Sequence, residues 1–280
     1  MSAERDPHGP IEFLTDEEHP GGTMLLMDSV RQSYVDLDDP SYLDFEYVQF
    51  MASVLACLPD GPLATTHIGG GALTLARYLH VTRPGSPQIV LEPNTELTEQ
   101  VRQRLPLPRG HRIRVRPVDG RTGIAQLRPS SADVLVLDAF ADGRVPAELT
   151  TAEFFEQARQ VLKPSGVLLA NLVDEPGLAY LARVIASVRA SFGELSLVAS
   201  HNVLKGRRFG NVVLAAAAAS DAGSSALDAD QLRTALLRQP FPAALWDSQH
   251  LRARFTTARP FTDADSDTSP DPIREGWRIR

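Results

Sequence analysis

The chain has 280 residues, 43% hydrophobic and 22% charged, the balance of a globular protein built as one domain with attachments or two small ones. Its 35 acidic residues outnumber 28 Lys and Arg, giving a net charge of -7. That argues against nucleic acid or an anionic membrane as the main partner, since both select a cationic face.

The first residues, "MSAERDPHGPIEF", are polar and broken by prolines, unlike a leader segment. Residues 1–22 carry no apolar period and predict a loose arm. Next, "TMLLMDSVRQSYVDL" (23–37) alternates in two pieces around Asp28-Ser29, which predicts a β-hairpin. In "SYLDFEYVQFMASVLACL" (41–58), Phe45, Val48, Met51, Ala52 and Leu55 fall at helical spacing, and Pro59-Asp60-Gly61-Pro62 ends the helix. Hairpin and helix make a unit over residues 23–60. Cys57 lies on that helix among apolar neighbours, reads as a buried thiol, and as a lone cysteine excludes an internal disulfide.

From residue 61 to 217 the pattern is βαβα. Strands are expected at 63–68, 88–92, 112–118, 132–138 and 166–172, with helices at 72–82, 95–105, 121–127 and 150–163. Runs such as "DVLVLD" and "GVLLANL" are continuously apolar, as parallel strands covered on both faces require. A helix near 175–191 and strands near 194–200 and 209–217 complete a sheet of about seven strands. "HNVLKGRRFG" (201–210) leaves no room for a helix, so the last two strands must pair antiparallel. Residues 218–280 read as a helical extension, with helices near 227–237 and 243–252, and a disordered tail over "TDADSDTSPDPIREGW". The longest apolar run, "VVLAAAAA" at 212–219, is too short to span a bilayer, and a cytoplasmic protein is expected.

An open parallel sheet binds ligands beyond the carboxyl ends of its strands. The residues found there are Gly69, Gly70 and Gly71, then Glu92, then Asp119, then Asp138 with Asp142 on the loop after it. Glycines permit a tight strand-to-helix turn and close ligand approach, but Thr74 breaks the G-x-G-x-x-G spacing of a pyrophosphate site. Glu92, about 20 residues beyond the turn, suits a ribose diol. Asp119 is placed either to meet an adenine amino group or to cap the following helix. Together they describe an adenosine pocket without a diphosphate site, which points to S-adenosylmethionine or a relative. Alkyl transfer from a sulfonium to an amine needs in-line positioning and a proton acceptor, and Asp138 is placed for that. The seven histidines show no zinc spacing, so no metal is expected, and His67 reads as a hydrogen-bonded core residue.

These motifs resemble those of the spermidine synthase family of polyamine aminopropyltransferases over residues 24–216. "LMDSVRQ" is similar to its L-x-L-D-G-x-x-Q, making Gln32 a donor-binding residue. "YVQFM" is similar to Y-x-E-M through Tyr47, and "GGGALTLAR" to G-G-G-D-G-G-x-x-R. Glu92 and Asp119-Gly120 match the ribose and adenine acids, and "DAFADGRVPAEL" resembles D-S-S-D-P-x-G-P-A-E-S-L with Asp138 as catalytic aspartate.

The resemblance implies a class-I methyltransferase-like Rossmann fold with an N-terminal hairpin. It implies aminopropyl transfer from decarboxylated S-adenosylmethionine to a small amine, and a homodimer by analogy. The departures are Ala72 for the acceptor-binding aspartate, Asp142 displaced by one position so that Ala141 falls in the ungapped place, and "LLANLVD" for W-x-x-Q-x-E. The donor half is retained and the polyamine half eroded. Methyl transfer from S-adenosylmethionine, with Arg77 as a candidate partner for its carboxylate, a non-catalytic nucleoside-binding module and, least favoured, an NAD-dependent dehydrogenase are the competing readings.

Overall fold

The computed structural model describes residues 10–218 and 226–272; residues 1–9 of the expected arm and 273–280 of the expected tail lie outside them. The hairpin is formed by β2 (Gly22–Met27) and β3 (Val30–Asp36), joined through Asp28 and Ser29 at φ 49° and 61°. Two successive positive φ values are what a two-residue hairpin turn needs to match strand twist.

The arm expected over 1–22 is corrected for its described part. Ile11–Thr15 forms a strand, β1, paired antiparallel with β2 from Ile11↔Met27 to Thr15↔Thr23. Ile11 and Phe13 alternate onto the cluster around Leu25, Val35 and Leu97, and Arg104 lies over the Phe13 ring at 5.0 Å. The prolines flanking this short alternation hide it from a periodicity reading.

α1 (Glu46–Ala56) follows, and then the main sheet. Its first half is β4 (Thr65–Ile68), α2 (Thr74–Thr82), β5 (Gln88–Leu91), α3 (Thr95–Arg104), β6 (Ile113–Arg116), α4 (Gly120–Ala125) and β7 (Ala132–Leu137). Its second half is α5 (Ala152–Val161), β8 (Leu162–Asp174), α6 (Ala179–Arg189), β9 (Glu194–Ala199), α7 (His201–Leu204) and β10 (Gly210–Ala217). α8 (Ala229–Leu236), β11 (Ala244–Trp246) and α9 (Ser248–Arg254) end the regular elements. The sheet has eight strands in the order β11-β9-β10-β8-β7-β4-β5-β6. β4 to β8 are parallel, while β10 runs antiparallel to both β8 and β9.

Alternate residues of the apolar strands serve two cores. Leu135 and Leu137 of β7 join Phe154 and Phe155 of α5, while Val134 and Val136 join Met51 and Leu55 of α1. This is why the strands read as unbroken apolar runs.

Three expectations change. The eighth strand, β11, occupies the start of the helix expected at 243–252: Ala244–Trp246 pairs antiparallel with β9, and Asp247 caps α9 only afterwards. The connection 201–210 holds one helical turn, α7, although β9 and β10 are antiparallel as expected. The supposed tail, as far as residue 272, is a polar strap on the domain. Asp263 accepts from Thr151 Oγ1 at 2.7 Å and pairs with Arg121 at 2.6 Å, Asp265 pairs with Arg183, and buried Ser269 holds both backbone groups of Val145. Among the described residues no helix is long and apolar enough to cross a membrane.

Candidate active site

Strand order reverses between β4 and β7, and the loops after β4, β5, β6 and β7 open there onto a cavity of about 310 Å3. Gln32, Tyr47, Gly69, Gly70, Gly71, Glu92, Asp119, Gly120 and Asp138 all line it.

The glycine turn and Glu92 form one rigid unit. Gly70 N–H donates to Glu92 Oε2 at 2.9 Å and Asn94 N–H to Oε1 at 2.9 Å, so the carboxylate is held from both sides. The hairpin domain closes on the same turn, since Ala72 N–H donates to Ser33 Oγ and Thr74 Oγ1 to the Tyr34 carbonyl. Asp119 Oδ1 accepts from Thr122 N–H at 2.8 Å, which is the helix cap expected for α4, and the residue also lines the cavity. That hydrogen bond lowers its carboxyl from the ordinary range.

Asp138 directly follows β7, at the centre of a relay that reaches β8 and β10. Tyr47 Oη donates to Asp138 Oδ2 at 3.2 Å, Asn171 Nδ2 to Oδ1 at 2.9 Å, and Asn211 Nδ2 to Asn171 Oδ1 at 2.9 Å. Depth in the fold raises the Asp138 carboxyl, and its hydrogen bonds from Asn171 and Tyr47 oppose that rise. Burial likewise raises the Tyr47 phenol, helped by the adjoining carboxylate, so Tyr47 stays a donor. Asn171 and Asn211 were not anticipated; the signal was a lone amide inside each of two apolar strands, "LLANLV" and "GNVVL".

His67 lies under the cavity, its Nε2 paired with Gln88 Oε1 at 2.8 Å, and burial lowers it to about 4. A neutral, tethered ring is the core residue expected from its place in β4. Among the described residues, no three His, Cys, Asp or Glu side chains are grouped to hold a metal ion.

No protein-family model matches the chain. A polyamine aminopropyltransferase of Chromobacterium violaceum is 30% identical over 141 residues, which is 50% of this chain and 53% of the relative. The chain spans about half the length of the first curated relatives it matches. A spermidine synthase solved with the transition-state analogue AdoDATO shares the fold, with TM-score 0.59 and 13% identity over 90% of this chain and 83% of that one. A crystal structure of a probable spermidine synthase from Corynebacterium glutamicum is 30% identical, with TM-score 0.82, over 90% of this chain and 92% of that one. The chain belongs to the spermidine synthase family.

Against the family pattern, two residues stand elsewhere than expected. Asp142 lies outside the cavity: with Gly143 it makes the two-residue turn between Ala141 and Arg144, at φ 52° and 78°, and lines an adjoining outer groove. Its place is set by turn geometry, and the structure does not bring it together with Asp138. Arg77 is turned into the fold, where its guanidinium donates to the carbonyls of Ala72, Leu105 and Pro106, and burial lowers it to about 10. It acts as a structural clamp and does not line the cavity.

Ala72, at the spermidine synthase aspartate position, is fully buried in the cluster with Leu25, Val35 and Leu73, and does not line the cavity. Ala72→Asp is therefore expected to destabilise the protein rather than rebuild a polyamine site. An unpaired carboxylate in that cluster costs about 3 kcal/mol or more, a fall of roughly 6–12 °C in Tm. Differential scanning fluorimetry beside an assay with 1,4-diaminobutane checks this. An unchanged Tm with gained diamine turnover would show that position 72 faces the site.

Proposed function

We propose that this chain is an aminopropyltransferase that uses decarboxylated S-adenosylmethionine as donor and a small amine as acceptor. The observation carrying this reading is the charge of the cavity. Asp44, Glu92, Asp119, Asp138 and Glu148 line it, with no Lys or Arg among the described lining residues. A sulfonium with a cationic aminopropyl tail suits such walls. The carboxylate of S-adenosylmethionine would need a cationic partner, and the candidate for it, Arg77, is committed to backbone carbonyls.

In this reading Glu92 grips the ribose diol, Asp119 meets the adenine amino group, Gln32 closes over the donor, and Gly69 to Gly71 let the nucleoside lie against bare backbone. Asp138 receives the incoming amine. The amine lone pair attacks the aminopropyl carbon bonded to sulfur, the carbon–sulfur bond breaks with its electrons moving to sulfur, and methylthioadenosine leaves. The proton released from the new secondary ammonium passes to Asp138, whose raised carboxyl is a better acceptor than an ordinary one. Tyr47 and Asn171 fix the direction of that carboxylate.

A thermal-shift panel with decarboxylated S-adenosylmethionine, S-adenosylmethionine, methylthioadenosine and NAD, joined to a methylthioadenosine-release assay, tests the proposal. The decarboxylated donor should raise Tm more than S-adenosylmethionine, and amines should trigger release. Stronger binding of S-adenosylmethionine with methyl transfer would establish the methyltransferase reading. Nucleoside binding without turnover would leave a binding module.

A further inference from the structure

We infer that the acceptor is an amino acid, carrying a carboxylate as well as the attacking amine, and that Arg207 and Arg208 bind that carboxylate. The inference rests on the aminopropyltransferase reading and names the substrate class of the same site.

Beside the donor cavity lies an outer groove of about 1070 Å3. The two share Gln32, Phe45 and Tyr47 in their linings, and the groove floor is Asn171 and Asn211, the pair that carries Asp138. The groove adjoins the part of the donor cavity that holds Asp138 and so offers an acceptor a path to it. Its walls differ in charge. Asp28, Asp44 and Glu46 stand on the side of the hairpin and α1, where Arg31 is set against Asp44, and Asp142 lies on the loop after β7.

Arg207 and Arg208 stand on the other wall, in the connection leading into β10. Both are exposed, and among the described residues neither makes an ion pair or a side-chain hydrogen bond. Arg208 is three residues before Asn211, at most about 11 Å along the chain. Two guanidiniums without a partner among the described residues thus line the same groove as Asn171 and Asn211, within reach of a molecule whose amine is at Asp138.

A diamine would bring its second ammonium toward that arginine wall. An amino acid places opposite charge at each end of the groove, and a planar carboxylate matches the guanidinium fork. The four acids in the same groove disfavour a doubly charged anion such as a phosphate. Transfer would then form the bond between the amino nitrogen and the aminopropyl carbon, release methylthioadenosine, and give an N-(3-aminopropyl) amino acid, with the nitrogen proton leaving to Asp138.

The test uses protein saturated with methylthioadenosine, so that acceptor binding is read without turnover. Calorimetry compares pairs of equal length: 3-aminopropanoate with 1,3-diaminopropane, 4-aminobutanoate with 1,4-diaminobutane, and 5-aminopentanoate with 1,5-diaminopentane. At least one amino acid should bind about 10-fold or more tightly than its diamine, and Arg207→Ala with Arg208→Ala should remove that advantage, as loss of a charge-assisted hydrogen bond requires. Arg207→Glu with Arg208→Glu should reverse the preference, with the methylthioadenosine thermal shift retained as proof of fold. Tighter diamine binding, no binding of either class, or an amino-acid preference indifferent to both double variants would each overturn the inference. Failure of aminopropyl transfer with every amine, while amino-acid binding persists, would instead refute the proposed reaction.

Discussion

Asp138→Asn is expected to lower kcat by about 100- to 10,000-fold, the usual worth of a positioned proton acceptor. Donor affinity should change by less than about threefold, because the ribose and adenine contacts assigned to Glu92 and Asp119 are untouched. The amide preserves shape and can still accept from Asn171. What it cannot do is take up the proton that the proposed transfer releases. In the parent protein the carboxyl is raised by its depth in the fold, so kcat should fall on acidification at a higher pH than an ordinary carboxylate would give, and the variant should lose that limb. Stability moves the other way. A carboxyl whose folded value lies above its unfolded value of 3.8 is penalised once ionised, fully above the folded value and not at all below the unfolded one. The variant should therefore match or exceed the parent Tm at pH 8, and that difference should shrink in acid. A kcat within about threefold of the parent would remove Asp138 from the proton path.

The residues that were legible beforehand are those whose position follows from local pattern. β5 and β7 announce themselves as apolar runs, and the rule that ligands collect at strand carboxyl ends turns Gly69, Glu92, Asp119 and Asp138 into one cavity. What stayed hidden depends on partners far along the chain. Asp263 looks like a solvated acid until Arg121 and Thr151, more than a hundred residues away, are brought against it. Asn171 looks like an interruption of β8 until Asp138 and Asn211 stand on either side in the sheet. Asp142 shows the reverse error. A motif match gives it chemistry, while its positive φ makes it half of a turn. The direction of a side chain at a kinked turn is likewise not a matter of spacing. With Leu73 at φ 64°, α2 starts only at Thr74 and Ala72 is left in the apolar cluster.

Gly69→Ala is expected to do more damage than any other single methyl added to the glycine turn. Gly69 has φ +94°, and a Cβ there would lie 2.0 Å from the Asp138 carbonyl oxygen and 2.7 Å from its carbonyl carbon. Backbone cannot swing aside as a flexible side chain can. Either β4 and β7 separate at their carboxyl ends, where Asp138 N–H donates to the Ile68 carbonyl at 2.8 Å, or the loop carrying Asp138 moves. The positive φ costs about 1–3 kcal/mol and the overlap about 1–3 more, so a loss of roughly 2–6 kcal/mol is predicted. Gly61→Ala separates these causes. Gly61 has φ +107° but nothing within 4 Å of the added methyl, so it should show the conformational cost alone and leave kcat intact. Urea unfolding of the two variants, with methylthioadenosine release on the folded fraction, measures both effects. If Gly69→Ala lost no more stability than Gly61→Ala and kept the parent kcat, the close approach of the turn to Asp138 would not be what positions that carboxylate.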